Sequence, residues 1–278
     1  MNKTVYSEEA MSQLSQGFAI EPAFSMEAVI RRSISTLFSY PTLFFGLATL
    51  AALSSMAVQP LTHNTSSLGL VFLLALFSGL LLYLVQGAIA CGVVIVLIGN
   101  DEPEWSEVCS KAFVSIGRLF LLVLCLALFV GGCTLILIPL TYFMGKAALL
   151  IVALPALVLF AALFCSWALA APICVLEELG PIKALYRSAE LTRGYRWQIL
   201  GLFVLAFVCF GTVAFVLLIP LGAPSTDSGH LLYLIQSLPL FILSTFNTAF
   251  IDVMVGVIYC DLVAIKDKEE TAPGEPAE

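Results

Sequence analysis

The 278-residue chain is 60% hydrophobic and 11% charged, with a mean hydropathy of +1.04 and a formal net charge of −7. Soluble globular domains carry roughly 25% charged residues, so the composition excludes a soluble domain and, with apolar stretches of about 20 residues recurring, indicates a polytopic membrane protein built of helices. No segment alternates in polarity over about 10 residues as a membrane barrel strand would, and the acidic balance says little about partners because much of the acid lies in the tails, at Glu8, Glu9 and Glu21 and at Asp267, Glu269, Glu270, Glu275 and Glu278.

Residues 1–24 are polar without a strong period, which predicts a flexible or weakly helical tail. They lack a continuous apolar core of roughly 7–15 residues behind a basic start, so the first membrane helix is expected to do the targeting. Met26, Val29, Ile30, Ile34, Leu37 and Phe38 then share one helical face, with Arg31, Arg32, Ser35 and Ser39 opposite. That is the pattern of an amphipathic helix in the membrane interface. Pro41 suits the first turn of the next helix, which predicts a span over 41–59 ending at Pro60-Leu61-Thr62 and a return over 68–99.

A second round opens at Asp101-Glu102-Pro103-Glu104, where acids and a proline favour a helix start. Trp105, Val108, Cys109, Ala112, Phe113 and Ile116 form its apolar stripe, with Glu107, Lys111 and Arg118 off it; a span over 119–138 closes at Pro139-Leu140-Thr141 and 147–176 returns. The third round begins at Gly180. Ile182, Leu185, Tyr186 and Ala189 are expected toward lipid, and Lys183, Arg187, Glu190 and Arg193 toward water. A span over 199–219 ends at Pro220-Leu221-Gly222, and in the apolar run 231–265 Pro239 is expected to separate a short interfacial piece from a span over 239–264.

Aligned on their basic helices, Glu27–Arg31 matches Glu107–Lys111 at an offset of 80, and Lys183–Arg187 follows at a further 76. The expected fold is therefore an all-α polytopic membrane protein. Six transmembrane helices and three cytoplasmic-side interfacial amphipathic helices form a pseudo-threefold repeat of interfacial helix plus helical hairpin. The units are about 25–99, 104–178 and 180–265, within one membrane domain over 25–265, followed by a disordered acidic tail over 266–278. Eleven of the 12 basic residues fall on one side of this topology and only Lys146 on the other, so the positive-inside rule places both termini in the cytoplasm.

Candidate chemistry is sparse. The eight cysteines show no C-x-x-C spacing and sit in apolar runs, as small buried hydrophobes do. His63 and His230 are expected in short outer loops, and without a third ligand they make no metal site. No nucleophile frame or phosphate loop is present, so neither a catalytic residue nor a cofactor is expected. Asp252 falls near the middle of its span, where an ionisable group costs a few kcal/mol unless partnered or protonated. Ser244, Thr248 and Asp252 share a face at i, i+4, i+8, Gly256 allows a close neighbour, and Gln86 and Asn247 are further intramembrane polar groups. Glu177 and Glu178 are placed to pair with Lys183 or Arg187.

Arg187, Ser188, Leu191, Thr192, Gly194, Arg196 and Trp197 carry the pattern R-S-x-x-L-T-x-G-x-R-W. It resembles the signature of the YciC-like inner-membrane proteins and of the membrane domain fused to some glycerophosphodiester phosphodiesterases. Tyr259-Cys260-Asp261-Leu262 resembles the aromatic–acid pair that closes the last helix in that group. The resemblance, over roughly residues 25–265, implies a six-helix bacterial inner-membrane protein with no established activity; a catalytic barrel of about 250 residues has no room here.

The function expected from these residues is non-enzymatic. Lys183, Arg187, Arg193 and Arg196, with Arg31, Arg32, Lys111 and Arg118, form a cytoplasmic basic belt contacting anionic lipid, in envelope organisation or as an accessory to another membrane protein or a second copy of the chain. Nothing calls for nucleic acid. The alternative is a small-solute or ion transporter using Asp252.

Overall fold

A computed structural model of the chain describes residues 24–63, 67–99, 103–221 and 230–271, and all the regular structure among them is helical. In chain order the helices are α1 (Met26–Ser39), α2 (Pro41–His63), α3 (Leu68–Gly99), α4 (Trp105–Val114), α5 (Ile116–Trp167), α6 (Ala170–Leu176), α7 (Pro181–Leu191), α8 (Arg196–Leu221) and α9 (His230–Thr271). Six stretches are long and apolar enough to cross a membrane: Pro41–Val58, Gly69–Leu97, Ile116–Cys133, Val158–Leu176, Arg196–Ile219 and Gln236–Asp267. The chain is an integral, multi-pass membrane protein.

The last of these spans is the axis of the bundle. Over the most apolar 18-residue window of each span, 83% of the residues within Gln236–Asp267 are buried in the protein, against 17% for Ile116–Cys133 and for the window within Arg196–Ile219. From Asp252 to Ile265 every residue of α9 is buried, as a helix apolar all round requires, and α1, α2, α3 and α8 pack about it. Glycines bring the backbones together: a Cβ on Gly256 would lie 3.0 Å from Val93 Cβ of α3, so the close neighbour expected at Gly256 is α3. Gly92 on α3 receives Leu43 and Phe44 of α2 in the same way. Small residues at such crossings allow the dispersion contacts that hold helices together in lipid.

Three prolines expected to end or divide spans do not. Helix α2 runs through Pro60 to His63, α5 is helical through Pro139, and α9 is unbroken across Pro239. The short interfacial piece expected before 239 is therefore part of one 42-residue helix. A proline removes one backbone hydrogen bond, which kinks a helix, and within a bundle neighbouring groups compensate for it. His63 and His230 accordingly lie at helix ends, not in loops. Helix α9 also continues to Thr271, into the acidic stretch expected to be disordered; residues 1–23, 222–229 and 272–278 of the expected tails and loop lie outside the described residues.

Helix α5 spans 52 residues, about 78 Å if straight at 1.5 Å per residue. It cannot be straight. The rings of Phe129 and Trp167 meet edge-on with centroids 5.0 Å apart, and Arg118 reaches the carbonyl of Cys174 at 3.2 Å. Both pairs require the chain to reverse about half-way along, near residue 147. The two limbs therefore run antiparallel and carry the spans Ile116–Cys133 and Val158–Leu176, where 119–138 and 147–176 were expected; the second is broken after Trp167 and completed by α6.

Candidate functional site

Two of the short helices, α1 and α7, are tied at one end of the bundle by polar contacts around Tyr259 and Asp261 of α9. Asp261 of α9 receives Arg32 of α1 in a largely buried ion pair. Two positions earlier, the Tyr259 hydroxyl donates to Glu177 Oε1 at 3.1 Å. Glu177 in turn lies 3.7 Å from Arg187 Nε of α7, and Arg187 Nη1 is 3.3 Å from Glu190 Oε2. Arg118, at the start of α5, donates to the Cys174 carbonyl and lies 3.9 Å from Glu178 Oε2. Helix α4 is fixed beside them by Trp105, whose ring occupies the space a Cβ on Gly46 would need, and by burial of Val108 and Ala112.

Burial pushes the Glu177 carboxyl above its ordinary value; the Arg187 guanidinium and the Tyr259 hydrogen bond oppose that shift. The expected pairing of Glu177 with Arg187 is present, whereas Glu178 turns to Arg118 and not to Lys183 or Arg187. Glu178 adopts a φ of 52° at the bend between α6 and α7, a left-handed conformation uncommon for a non-glycine residue.

This network divides the eight expected lipid-contacting cations. Arg32, Arg118 and Arg187 are tied to carboxylates of other segments, and Lys111 Nζ pairs with Glu107 Oε1 at 2.6 Å on its own helix. Arg196 is exposed and donates to the Ala189 carbonyl at 3.1 Å. Arg31, Lys183 and Arg193 are exposed, and their side chains have no ion pair or hydrogen bond among the described residues. Ile182, Tyr186 and Trp197, in the same chain segment as Lys183 and Arg193, are exposed at 76%, 77% and 77%.

The R-S-x-x-L-T-x-G-x-R-W residues build the corner between α7 and α8. Ser188, Leu191 and Thr192 are buried, Thr192 Oγ1 donates to the Ser188 carbonyl at 2.9 Å, and Gly194 turns the chain at φ 97°, which favours glycine. No protein-family model, curated protein or solved structure matches this chain.

Asp252 lies inside the bundle, 8% exposed, nine residues from Asp261. That is about 14 Å along the axis, roughly half the hydrocarbon thickness. Its carboxyl has no hydrogen-bond or ion-pair partner among the described residues. Of the residues expected to share its face, Ser244 is exposed and donates to its own helix at the Phe241 carbonyl, 2.8 Å away, and Thr248 is half-buried. Asn247 Oδ1 is buried without a partner, and Gln86 is half-buried on α3.

The eight cysteines form no disulfide. Among the described residues no three His, Cys, Asp or Glu side chains gather to hold a metal ion. The residues that sequence reasoning missed are Asp261 as the partner of Arg32, and Arg118 as the partner of the α6 end. A signal was available for the first: Asp261 is an acid inside an apolar run, level with a helix carrying two adjacent arginines.

Proposed function

We propose that the protein is a non-enzymatic component of a bacterial inner membrane, with both termini in the cytoplasm, whose basic short helices gather anionic lipid around one rim of the bundle. The observation that supports this reading is the division among the cations: at the end where α1, α4 and α7 collect, some cations are consumed by internal carboxylates while Arg31, Lys183 and Arg193 are exposed, the last two on the chain segment that also exposes Tyr186 and Trp197. Aromatics of this kind favour the headgroup level, and each cation near an anionic surface contributes about 1 kcal/mol within a Debye length. In this reading the three short helices lie in the interface, the three units are structural repeats, and the protein is YciC-like.

The test is lipid composition around the purified protein in nanodiscs of mixed phosphatidylglycerol and phosphatidylcholine. Phosphatidylglycerol should be enriched at about 0.1 M salt and released near 1 M, where the Debye length falls to about 3 Å. Enrichment that persists at high salt, or none at low salt, contradicts it.

The second reading, transport through Asp252, draws support from the unpartnered buried carboxyl. Three grooves among the described residues are lined chiefly by apolar side chains, and Asp252 lines none of those three, which favours the lipid reading. Proton or cation flux in proteoliposomes that disappears in Asp252→Asn would reverse that preference.

A further inference from the structure

Helix α1 does not sit on the bundle as its apolar stripe suggests. Its contacts on α9 extend from Asp261, paired with Arg32, to Phe246, whose ring centroid is 6.4 Å from that of Phe38. Its first turn rests on α8, with Met26 against Gly201. Val29 and Leu37 are buried in these contacts, while Ile34 and Phe38 stay exposed. They form one wall of a groove of about 260 Å³ whose other walls are Leu205 and Phe210 of α8 and Phe246 and Phe250 of α9. Ile30, Ile34 and Leu205 also line a wider opening of about 490 Å³, which carries Glu27 and Arg31. The two adjoin, sharing Ile30, Ile34 and Leu205, and charged side chains line them only at the Glu27–Arg31 end.

Glu27 and Arg31 are one helical turn apart, where side chains are neighbours about 5–6 Å apart at Cβ. Both are exposed, and neither pairs with the other nor with any other described residue. The groove lies along two spans that hydrocarbon surrounds, so its natural filling is an acyl chain. An anionic headgroup would satisfy Arg31 and be repelled by Glu27. A headgroup bearing both a phosphate and an ammonium satisfies both, through charge-assisted hydrogen bonds.

The geometry points to a single-lipid site at which the α1–α8–α9 groove holds an acyl chain of phosphatidylethanolamine, with its phosphate on Arg31 and its ammonium on Glu27. This deepens the lipid-contact reading at one place and makes it selective in the opposite sense: an aminophospholipid in the groove, and anionic lipid at the Lys183 and Arg193 rim.

The test uses the full chain in nanodiscs of equal phosphatidylethanolamine and phosphatidylglycerol, with a trace of either lipid carrying a photoreactive acyl chain and labelled peptides mapped by mass spectrometry. The phosphatidylethanolamine probe should label peptides containing Leu205–Phe210 and Phe246–Met254 several-fold more than the phosphatidylglycerol probe. Glu27→Gln should bring that ratio to about one, and Arg31→Gln should lower labelling by both. Equal labelling by the two probes in the wild-type chain overturns the proposal. So does groove labelling no stronger than at Leu128 and Leu135, exposed apolar residues elsewhere on the bundle. Lys183→Gln/Arg193→Gln leaves the groove intact, so lost phosphatidylglycerol enrichment with unchanged groove labelling assigns the two effects to two places. Unselective groove labelling with that enrichment intact removes the groove alone.

Discussion

Tyr259 donates a hydrogen bond to Glu177 across 82 positions of sequence, joining the central helix to the bend that carries the basic α7. The contact leaves Glu177 shared between a hydroxyl and the Arg187 guanidinium in a partly dry setting, and it sets the first expectation. A carboxyl raised above its ordinary 4.5 in the folded state binds protons more readily there than in the unfolded chain. Its contribution to stability is therefore lost as pH rises from about 4.5 through the folded value. The melting temperature of the wild-type chain minus that of Glu177→Gln should fall over this window and flatten above it; a difference independent of pH would count against the assignment. Tyr259→Phe, which removes a donor from the half-buried Glu177 carboxylate, should cost about 1–3 kcal/mol, measurable as a thermal shift in detergent.

The crossing of α3 and α9 at Gly256 gives a second expectation. Gly256→Leu must displace Val93, whose Cβ would be 3.0 Å from the new Cβ, and overpacking of this kind typically costs about 1–3 kcal/mol. Val93→Ala in the same chain should return part of it. Thermal melts of the single and double variants check this, and additive losses would mean that the two positions do not share a contact.

Asp252 is expected to be a stability liability. Removing an unpartnered ionisable group from mid-bundle removes a penalty of a few kcal/mol, so Asp252→Asn and Asp252→Leu should melt at or above the wild-type temperature and retain its lipid enrichment. A loss of several degrees in both variants would show that the carboxyl has a structural partner.

Topology can be checked directly. In a cysteine-free background, Asn64→Cys and Thr226→Cys should label from outside intact cells, and Lys3→Cys and Glu270→Cys should not. The reverse pattern would place the short helices outside.

The spans were legible because each is a long apolar run, and the amphipathic helices because their charge repeats at helical spacing. The centre of the fold was harder to see. Apolarity serves equally against lipid or protein, so α9 reads like any other span until Gly256 and the run of buried residues from Asp252 to Ile265 set it in the middle. Proline misled for a related reason. Pro60, Pro139 and Pro239 stop helices in water, where a freed carbonyl finds solvent, but in a bundle helix is the only backbone that satisfies itself. Nor could the basic residues be sorted by sequence alone. Arg31 and Arg32 are adjacent, yet one helical step sends Arg32 to Asp261, 229 positions away, and leaves Arg31 at the groove mouth.

That sorting is the central claim, and two paired variants test it most directly. Lys183→Gln/Arg193→Gln removes two cations without internal partners, worth about 1 kcal/mol each at an anionic surface. Arg32→Gln/Arg187→Gln removes two that hold the bundle and leaves carboxylates uncompensated, at a cost of several kcal/mol. Co-purified phosphatidylglycerol and melting temperature are measured on both. The first variant should lose up to roughly thirtyfold in phosphatidylglycerol preference with its melting temperature unchanged, and the second should melt well below the wild-type chain. Equal phosphatidylglycerol retention in the first variant, or an unchanged melting temperature in the second, would contradict the division of labour among these cations.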